Sequence, residues 1–385
     1  MLNCVRAMFD FIRRKMKAIL VVLLILCIIT VAVLLCISYR GNNQKMLLPL
    51  TYKAEKKEAN YPIDLVYLWV DGNDEVHAKK RRFWKEKLGL SVKNTAATNI
   101  QAGRWIDNSE LKYSLRSVEK FAPWINKIYI ITPGAAPKWL NTKHPKIKII
   151  NQDSIMPADA TPSFNSNAIE HCLPNLKELS EHFIYANDDM FFVNYVYPED
   201  FFKDGKPIYA LANELPLDKE AIDGYERFLI NSAHLIYEKF GKRKYHVRYP
   251  HHNIDPYIKS SMQKCQKDFA KEMNATIYNK FRTAIDIQRS IYTSYAIITG
   301  DAFYKAAVAF PKFDGIYLLR EKFDGITFSG IMDMKSVEQF PLVISQEPSL
   351  KLFCINDGDL TTDEARKQYR QVMERIFPNK SAFEK

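Results

Sequence analysis

The chain has 385 residues, enough for one large domain or two modest ones at roughly 150 residues each. A composition of 47% hydrophobic and 26% charged residues supports a packed core and excludes overall disorder. Glycine is scarce, 13 residues in all, and no glycine-rich phosphate-loop pattern of the Walker or dinucleotide-binding type occurs. The formal charge is +11, yet the basic residues form no aromatic-interleaved stripe, so a nucleic-acid partner is not expected and the excess suits an anionic substrate.

Residues 18–37 form a run of twenty without a charge, which as a helix spans about 30 Å, the thickness of a bilayer core. Five basic residues against Asp10 precede this run, whereas only Arg40 and Lys45 follow in the next dozen. Positive charge stays cytoplasmic, so the expected layout is a cytoplasmic tail at 1–17, a transmembrane signal anchor at 18–38, a stalk at 39–60 and a globular body at 61–385 across the membrane. Asn-x-Ser/Thr triplets at Asn274 and Asn379 fit that address. Three cysteines, Cys172, Cys265 and Cys354, belong to the body; one disulfide is open to them with undetermined partners, and no zinc spacing exists.

Within the body, 63–70 is a β-rich run ending in Asp71-Gly72-Asn73-Asp74. A charged helix over 77–88, a weakly patterned loop over 89–103 and an amphipathic helix over 108–121 follow. Strands are expected at 127–132 and 146–151, a helix at 167–179, and a buried strand at 182–186 running into Asn187-Asp188-Asp189. That alternation predicts an α/β core over 61–208 with a mostly parallel sheet flanked by helices. From 209 to 301 the pattern turns helical, clearest over 254–270 and 285–298, and reads as a helical subdomain. Closing strands and a last helix to Ile376, opened by a Thr361–Glu364 capping box, fill 302–385.

The acidic pair Asp188-Asp189 ends a strand, and strand ends form the rim where α/β ligand sites lie. Such a pair with oxygen-only surroundings suits Mg²⁺ or Mn²⁺; the alternative is a turn whose Asp side chains bond their own backbone. His251 and His252 stand just before the helix expected at 254, where one could act as a general base or both could belong to an ordinary loop. Arg282 opens a helix and either points at phosphate or pairs with Asp286 on the surface. Asp71, Asp107, Asn108, Glu110 and Arg116 lie near element ends, where caps and surface pairs account for most polar groups, and Asp357 follows the apolar 352–355 as a strand-end acid or a turn.

Taken together, four blocks resemble the Stealth family of sugar-phosphate transferases, which includes bacterial capsule polymerases and the lysosomal-enzyme N-acetylglucosamine-1-phosphotransferase. They are 63–74 (IDLVYLWVDGND), 107–140 continuing through 162–170 to Asp189, the stretch from His251 through Arg282 and Asp286, and 354–357 (CIND). The resemblance implies a nucleotide-sugar-transferase-like fold and transfer of a sugar-1-phosphate, N-acetylhexosamine-1-phosphate for preference, from a UDP-sugar donor to a glycan acceptor, with UMP leaving. It implies His252 as the base, from its spacing to Pro256, with His251 as the alternative. Arg282 would stabilise phosphoryl charge, Asp188 or Asp189 would hold the cation, and Asp71, Asn108, Glu110, Arg116 and Asp286 would line the donor site.

Two other classes stand beside this reading: a metal-dependent glycosyltransferase that releases UDP, and a membrane-tethered glycan-binding protein without turnover. The anchor's orientation favours a Golgi-type lumenal setting, with a bacterial inner membrane as the alternative, and a homodimer is admitted.

Overall fold

The computed structural model describes residues 59–90, 105–217, 224–241, 246–313, 315–322, 325–358 and 360–385, with Met16 and Thr30. The expected anchor, except Thr30, the stalk up to residue 58 and the loop from 91 to 103 lie outside the described residues. Among the described residues no helix is long and apolar enough to cross a membrane. The chain divides into two compact units, Met1–Leu48 and Pro49–Lys385, and both β-sheets belong to the second.

In chain order the principal elements of the second unit are β1 (Ile63–Leu68), α1 (Glu75–Lys87), α2 (Glu110–Phe121), β2 (Ile128–Thr132), β3 (Ile147–Asn151), α3 (Ser166–Cys172), β4 (His182–Asn187), β5 (Met190–Phe192), β6 (Phe202–Lys203) and β7 (Lys206–Glu214). Then come α4 (Gly224–Phe240), β8 (Arg248–Pro250), β9 (Asp255–Ile258), α5 (Lys259–Asp268), α6 (Ala270–Ile277), α7 (Ser290–Ile298), β10 (Phe303–Phe313), β11 (Ile316–Glu321), β12 (Thr327–Asp333), β13 (Leu352–Asn356) and α8 (Asp363–Ile376).

The first sheet has the order β3-β2-β1-β4-β9, with the first four strands parallel and β9 antiparallel on the edge. An inner parallel strand is covered on both faces, so its apolar residues run on instead of alternating. β1, Ile-Asp-Leu-Val-Tyr-Leu, is buried over its first five positions. Its one carboxylate, Asp64, accepts hydrogen bonds from Asn126 Nδ2, the Lys127 amide and the Ser180 amide, which offsets the cost of burying it.

The mostly parallel sheet expected over 61–208 therefore forms, but it is not the only sheet. A second, eight-stranded sheet runs β5-β13-β12-β11-β10-β7-β6, with β8 paired to β7, and mixes antiparallel with parallel neighbours. Nor is 209–301 purely helical, because most of β7 and all of β8 and β9 fall inside it. The expected helix at 254–270 begins as β9, since Asp255–Ile258 pairs with the open edge of β4 and only then turns into α5. α3 stops at Cys172 because Pro174 follows and tightens the chain into a 3₁₀ turn. α7 starts at Ser290, five residues later than expected, and α8 is capped by Thr362, whose hydroxyl accepts from the Ala365 amide, one position beyond the expected Thr361. Cys172, Cys265 and Cys354 are all buried free thiols, so no disulfide joins them.

The turn Asp188-Asp189 lies between β4 and β5, where the chain leaves the parallel sheet and enters the mixed one. Helix α2 secures this crossing. Tyr67 Oη of β1 lies 2.7 Å from Ser114 Oγ, Ser114 Oγ donates to the Met190 carbonyl, and the Phe192 amide donates to Ser117 Oγ at 3.0 Å. Two small hydroxyls on one helix face therefore satisfy the backbone of the edge strand β5.

Candidate active site

Four chain segments bring acids to the crossing between the sheets: the end of β1 with Asp71, the start of α2 with Asp107 and Glu110, the β4–β5 turn with Asp188 and Asp189, and the end of β13 with Asp357. The start of α2 is held in a strained form, since Ser109 has φ 70°, a left-handed conformation that costs a non-glycine residue about 1 kcal/mol or more. Its amide donates to Asp107 Oδ1 at 2.7 Å. Asn108 then acts as the connector: its Nδ2 donates to Glu110 Oε1 at 2.8 Å and to Asp357 Oδ2 at 3.2 Å, and its amide donates to Glu110 Oε2. At the end of β1 the chain passes so close to residue 105 that a Cβ on Gly72 would fall 1.3 Å from the Trp105 carbonyl oxygen, which requires glycine there.

Burial pushes the Asp188 carboxyl well above the ordinary range, and the charges of Asp189 and Asp107 push it the same way. Glu110 is likewise raised by burial and by the charge of Asp188, against the hydrogen bond from Asn108. Asp107 is raised by burial, with Asp71 adding to it. These carboxyl groups therefore share one electrostatic environment that carries more negative charge than it can solvate.

A second network adjoins the first. Tyr185 Oη of β4 lies 2.8 Å from Asn187 Oδ1, next to Asp188, and 3.1 Å from Glu170 Oε1 of α3. The Arg289 guanidinium stacks over the Tyr185 ring at 4.9 Å, pairs with Asp255 Oδ2 at 3.2 Å and faces Glu170 Oε2 at 3.7 Å. Asp255 in turn receives His251 Nε2 at 2.8 Å, and His251 Nδ1 lies 3.3 Å from Ser329 Oγ. Arg282 belongs to the same environment: burial pulls its guanidinium down, while the neighbouring Glu170, Tyr185 and Asp286 pull it up, and its Nη2 donates to Ser166 Oγ.

The structure thus brings Asp71, Asn108, Glu110, Asp188 and Asp189 into one cluster, and Arg282 into the network that joins it through Tyr185. His251 and His252 precede strand β9, not a helix, so no helix dipole acts on them. His251 is buried with both ring nitrogens engaged, whereas His252 is half-buried and packs edge-on against Tyr225 at 5.3 Å.

Two expected side chains, Arg116 and Asp286, are committed elsewhere. Arg116 is buried and grips the carboxyl-terminal segment, donating to Glu384 through Nε at 2.8 Å and Nη2 at 2.9 Å, and through Nη1 to Glu374 and the Phe377 carbonyl. Asp286 does not form a surface pair with Arg282; its oxygens accept from Asn165 Nδ2, Asn279 Nδ2, Thr283 Oγ1 and the Thr283 amide, locking the 283–286 turn ahead of α7. Asp74 caps α1 by accepting from the amides of Val76 and His77. Sequence reading missed the Arg289 and Tyr185 roles. A lone arginine within the apolar approach to Ser-Ile-Tyr-Thr-Ser-Tyr-Ala-Ile-Ile was the available sign, because a buried charge has to be paired.

The donor set fits a hard divalent cation in one respect and not in another. Among the described residues no three His, Cys, Asp or Glu side chains are gathered into a ready metal cage. Mg²⁺, however, is commonly held by one or two carboxylates together with substrate phosphates, and the like-charge crowding at Asp188 is what a cation would relieve.

Fold and site define an α/β protein whose strand ends deliver a carboxylate cluster with the buried Arg289 and the half-buried Arg282 beside it. Conserved region 1 of the Stealth proteins matches residues 61–89, and conserved region 2 matches 104–209. An exopolysaccharide phosphotransferase of Lactiplantibacillus plantarum is 30% identical over 84% of this chain and 97% of its own length, and one of Nocardia farcinica is 31% identical over 87% of this chain and 63% of its own. The chain spans 58% of the related CpsY of Mycobacterium tuberculosis. Among solved structures, a galactosyltransferase in complex with donor and acceptor sugar analogues aligns over 81% of this chain and 96% of its own, at 9% identity and a TM-score of 0.40. The chain belongs to the Stealth family, together with these exopolysaccharide phosphotransferases.

Proposed function

We propose that the chain transfers a sugar-1-phosphate from a UDP-sugar to a hydroxyl of a glycan, releasing UMP. The observation that carries this reading is the continuity of the carboxylate cluster with the arginine network, through Tyr185, Asn187 and Asp188. A site for a sugar diphosphate needs both: hard oxygen donors for a cation on the phosphates, and guanidinium groups for the charge that develops on phosphoryl oxygens. Relatives named as exopolysaccharide phosphotransferases support the same chemistry.

In this reaction the acceptor oxygen attacks the β-phosphorus, a new phosphorus–oxygen bond forms, and the bond from that phosphorus to the bridging oxygen of UMP breaks. His252, the more accessible of the two imidazoles, takes the hydroxyl proton. Arg282 faces the non-bridging oxygens, with Arg289 and Glu170 fixing its surroundings. Mg²⁺ or Mn²⁺ held by Asp188 and Asp189 would neutralise the diphosphate.

A donor labelled at the β-phosphorus tests the proposal. Label in the acceptor together with free UMP is the expected result. Release of labelled UDP would mean that the sugar carbon–oxygen bond breaks, as in a glycosyltransferase, and glycan binding without turnover of any donor would leave a binding protein.

A further inference from the structure

Helix α8 turns one face toward the carboxylate cluster, at positions 366, 369 and 370. Arg366 meets Asp357 as a fork, Nε donating to Oδ2 at 2.8 Å and Nη2 to Oδ1 at 3.0 Å. Both groups are largely shielded, with 12% and 7% of their side chains exposed. Arg370, one turn on, donates through Nη1 to Asn108 Oδ1 at 3.3 Å. Between them Tyr369 is fully buried, its hydroxyl has no hydrogen-bond partner among the described residues, and the charges of Glu110, Asp189 and Asp188 act on it.

We infer that Arg366 is a positioning residue of the proposed transfer: it holds Asp357 edge-on, and through Asp357 and Asn108 it sets the Glu110 carboxyl beside Asp188. The hydrogen-bond sequence is continuous, Arg366 to Asp357, Asn108 to both Asp357 and Glu110, and it crosses 249 residues of chain. It uses both amide protons of Asn108, while Arg370 takes the amide oxygen, so the side chain has one orientation. Docking of the helix does not depend on this fork. Tyr369, Val372 and Met373 pack into the core, and Arg116 fastens the segment that follows through Glu374, Glu384 and the Phe377 carbonyl. A planar fork on a carboxylate fixes its plane as well as its charge, which a lysine cannot do.

The inference rests on the transferase reading, and a double-mutant cycle on the full chain separates the two. In the labelled-donor assay Arg366→Lys is expected to lower kcat about tenfold with little change in donor KM, and to cost nothing further in an Asp357→Asn background, the non-additivity expected of coupled neighbours. Mn²⁺ binding, read by electron paramagnetic resonance without donor, should show the same coupling. Equal losses in both backgrounds, or an unchanged kcat in Arg366→Lys, would reduce Arg366 to a fold contact and overturn the inference. If the wild-type chain turned over no donor, the transferase reading would fail and the Mn²⁺ cycle alone would decide, with absence of coupling counting against the inference.

Discussion

The two adjacent histidines differ in burial, His251 being buried and His252 half-buried. His251 is buried, bridges Asp255 and Ser329 and stacks on Phe328 at 5.9 Å, so losing it removes the hydrogen bond to one oxygen of a buried carboxylate whose other oxygen Arg289 holds. His252 is only half-buried, and in the proposed transfer it is the ring that meets the incoming hydroxyl. His252→Ala is therefore expected to lower kcat by roughly 10²-fold or more while the chain stays folded, as for loss of a general base. A variant that keeps kcat within about threefold of wild type would remove His252 from the mechanism. At this scale the sequence was legible where chemistry is local: a β-rich run followed directly by acids marked Asp71 and Asp188, and these do lie in the cluster. The residue types of Arg116 and Asp286 suit a phosphate site, but their partners include Glu374, 258 residues away, and Asn165, 121 residues away, respectively. Spacing along the chain carries no record of such partners.

At the scale of elements, α3 and α7 are joined by a neutral buried imidazole. His171 on α3 lies 2.8 Å through Nδ1 from Tyr292 Oη on α7 and 3.2 Å through Nε2 from the Ile287 carbonyl, so Nε2 carries the proton and Nδ1 accepts from the tyrosine. Burial pulls its pKa down to about 4, opposed only by the Ile287 carbonyl. In the unfolded chain the ring protonates near pH 6.5, while in the folded chain it remains neutral until about 4. The unfolded state thus binds more protons across this window. Stability is full above pH 6.5, falls as pH drops, and levels off near 4 after a loss of about 3 kcal/mol. His77, pulled to about 4 by burial and by the charge of Arg81, adds to the same slope. Denaturant unfolding between about pH 7 and 4 should show this decline, and His171→Gln should flatten it in part; an unchanged slope would remove His171 as its source. The second sheet was the element-scale feature that sequence reading did not find. Its pairings join distant segments, such as β13 with β5, and β7 with β10, and the β10 run includes Lys305, Pro311 and Lys312, so it lacks the continuous apolar signature that exposed β1.

For the whole molecule we propose that the anchor expected at 18–38 places the body in a lumenal compartment, and the body's own chemistry bears on that address. A lumenal compartment is oxidising, and Cys172, Cys265 and Cys354 would be exposed to that chemistry if they were accessible. They are buried, and burial raises all three thiols, Cys172 to about 12, so thiolate is scarce and oxidation is suppressed wherever the body resides. Their free state is therefore no argument for a reducing compartment. The charge asymmetry around residues 18–37 remains the physical guide, with five basic side chains before the run and two in the dozen residues after it. We accordingly propose that the body from residue 61 onward lies on the far side of the membrane from the amino terminus. Exposed Asn274 and Asn379 would then face the compartment in which such triplets are glycosylated. In sealed vesicles carrying the full chain, external protease should leave a protected fragment of nearly the whole body, and detergent should abolish the protection. Digestion of the body in intact vesicles would reverse the proposed orientation, and with it the side from which the donor of the proposed transfer would be supplied.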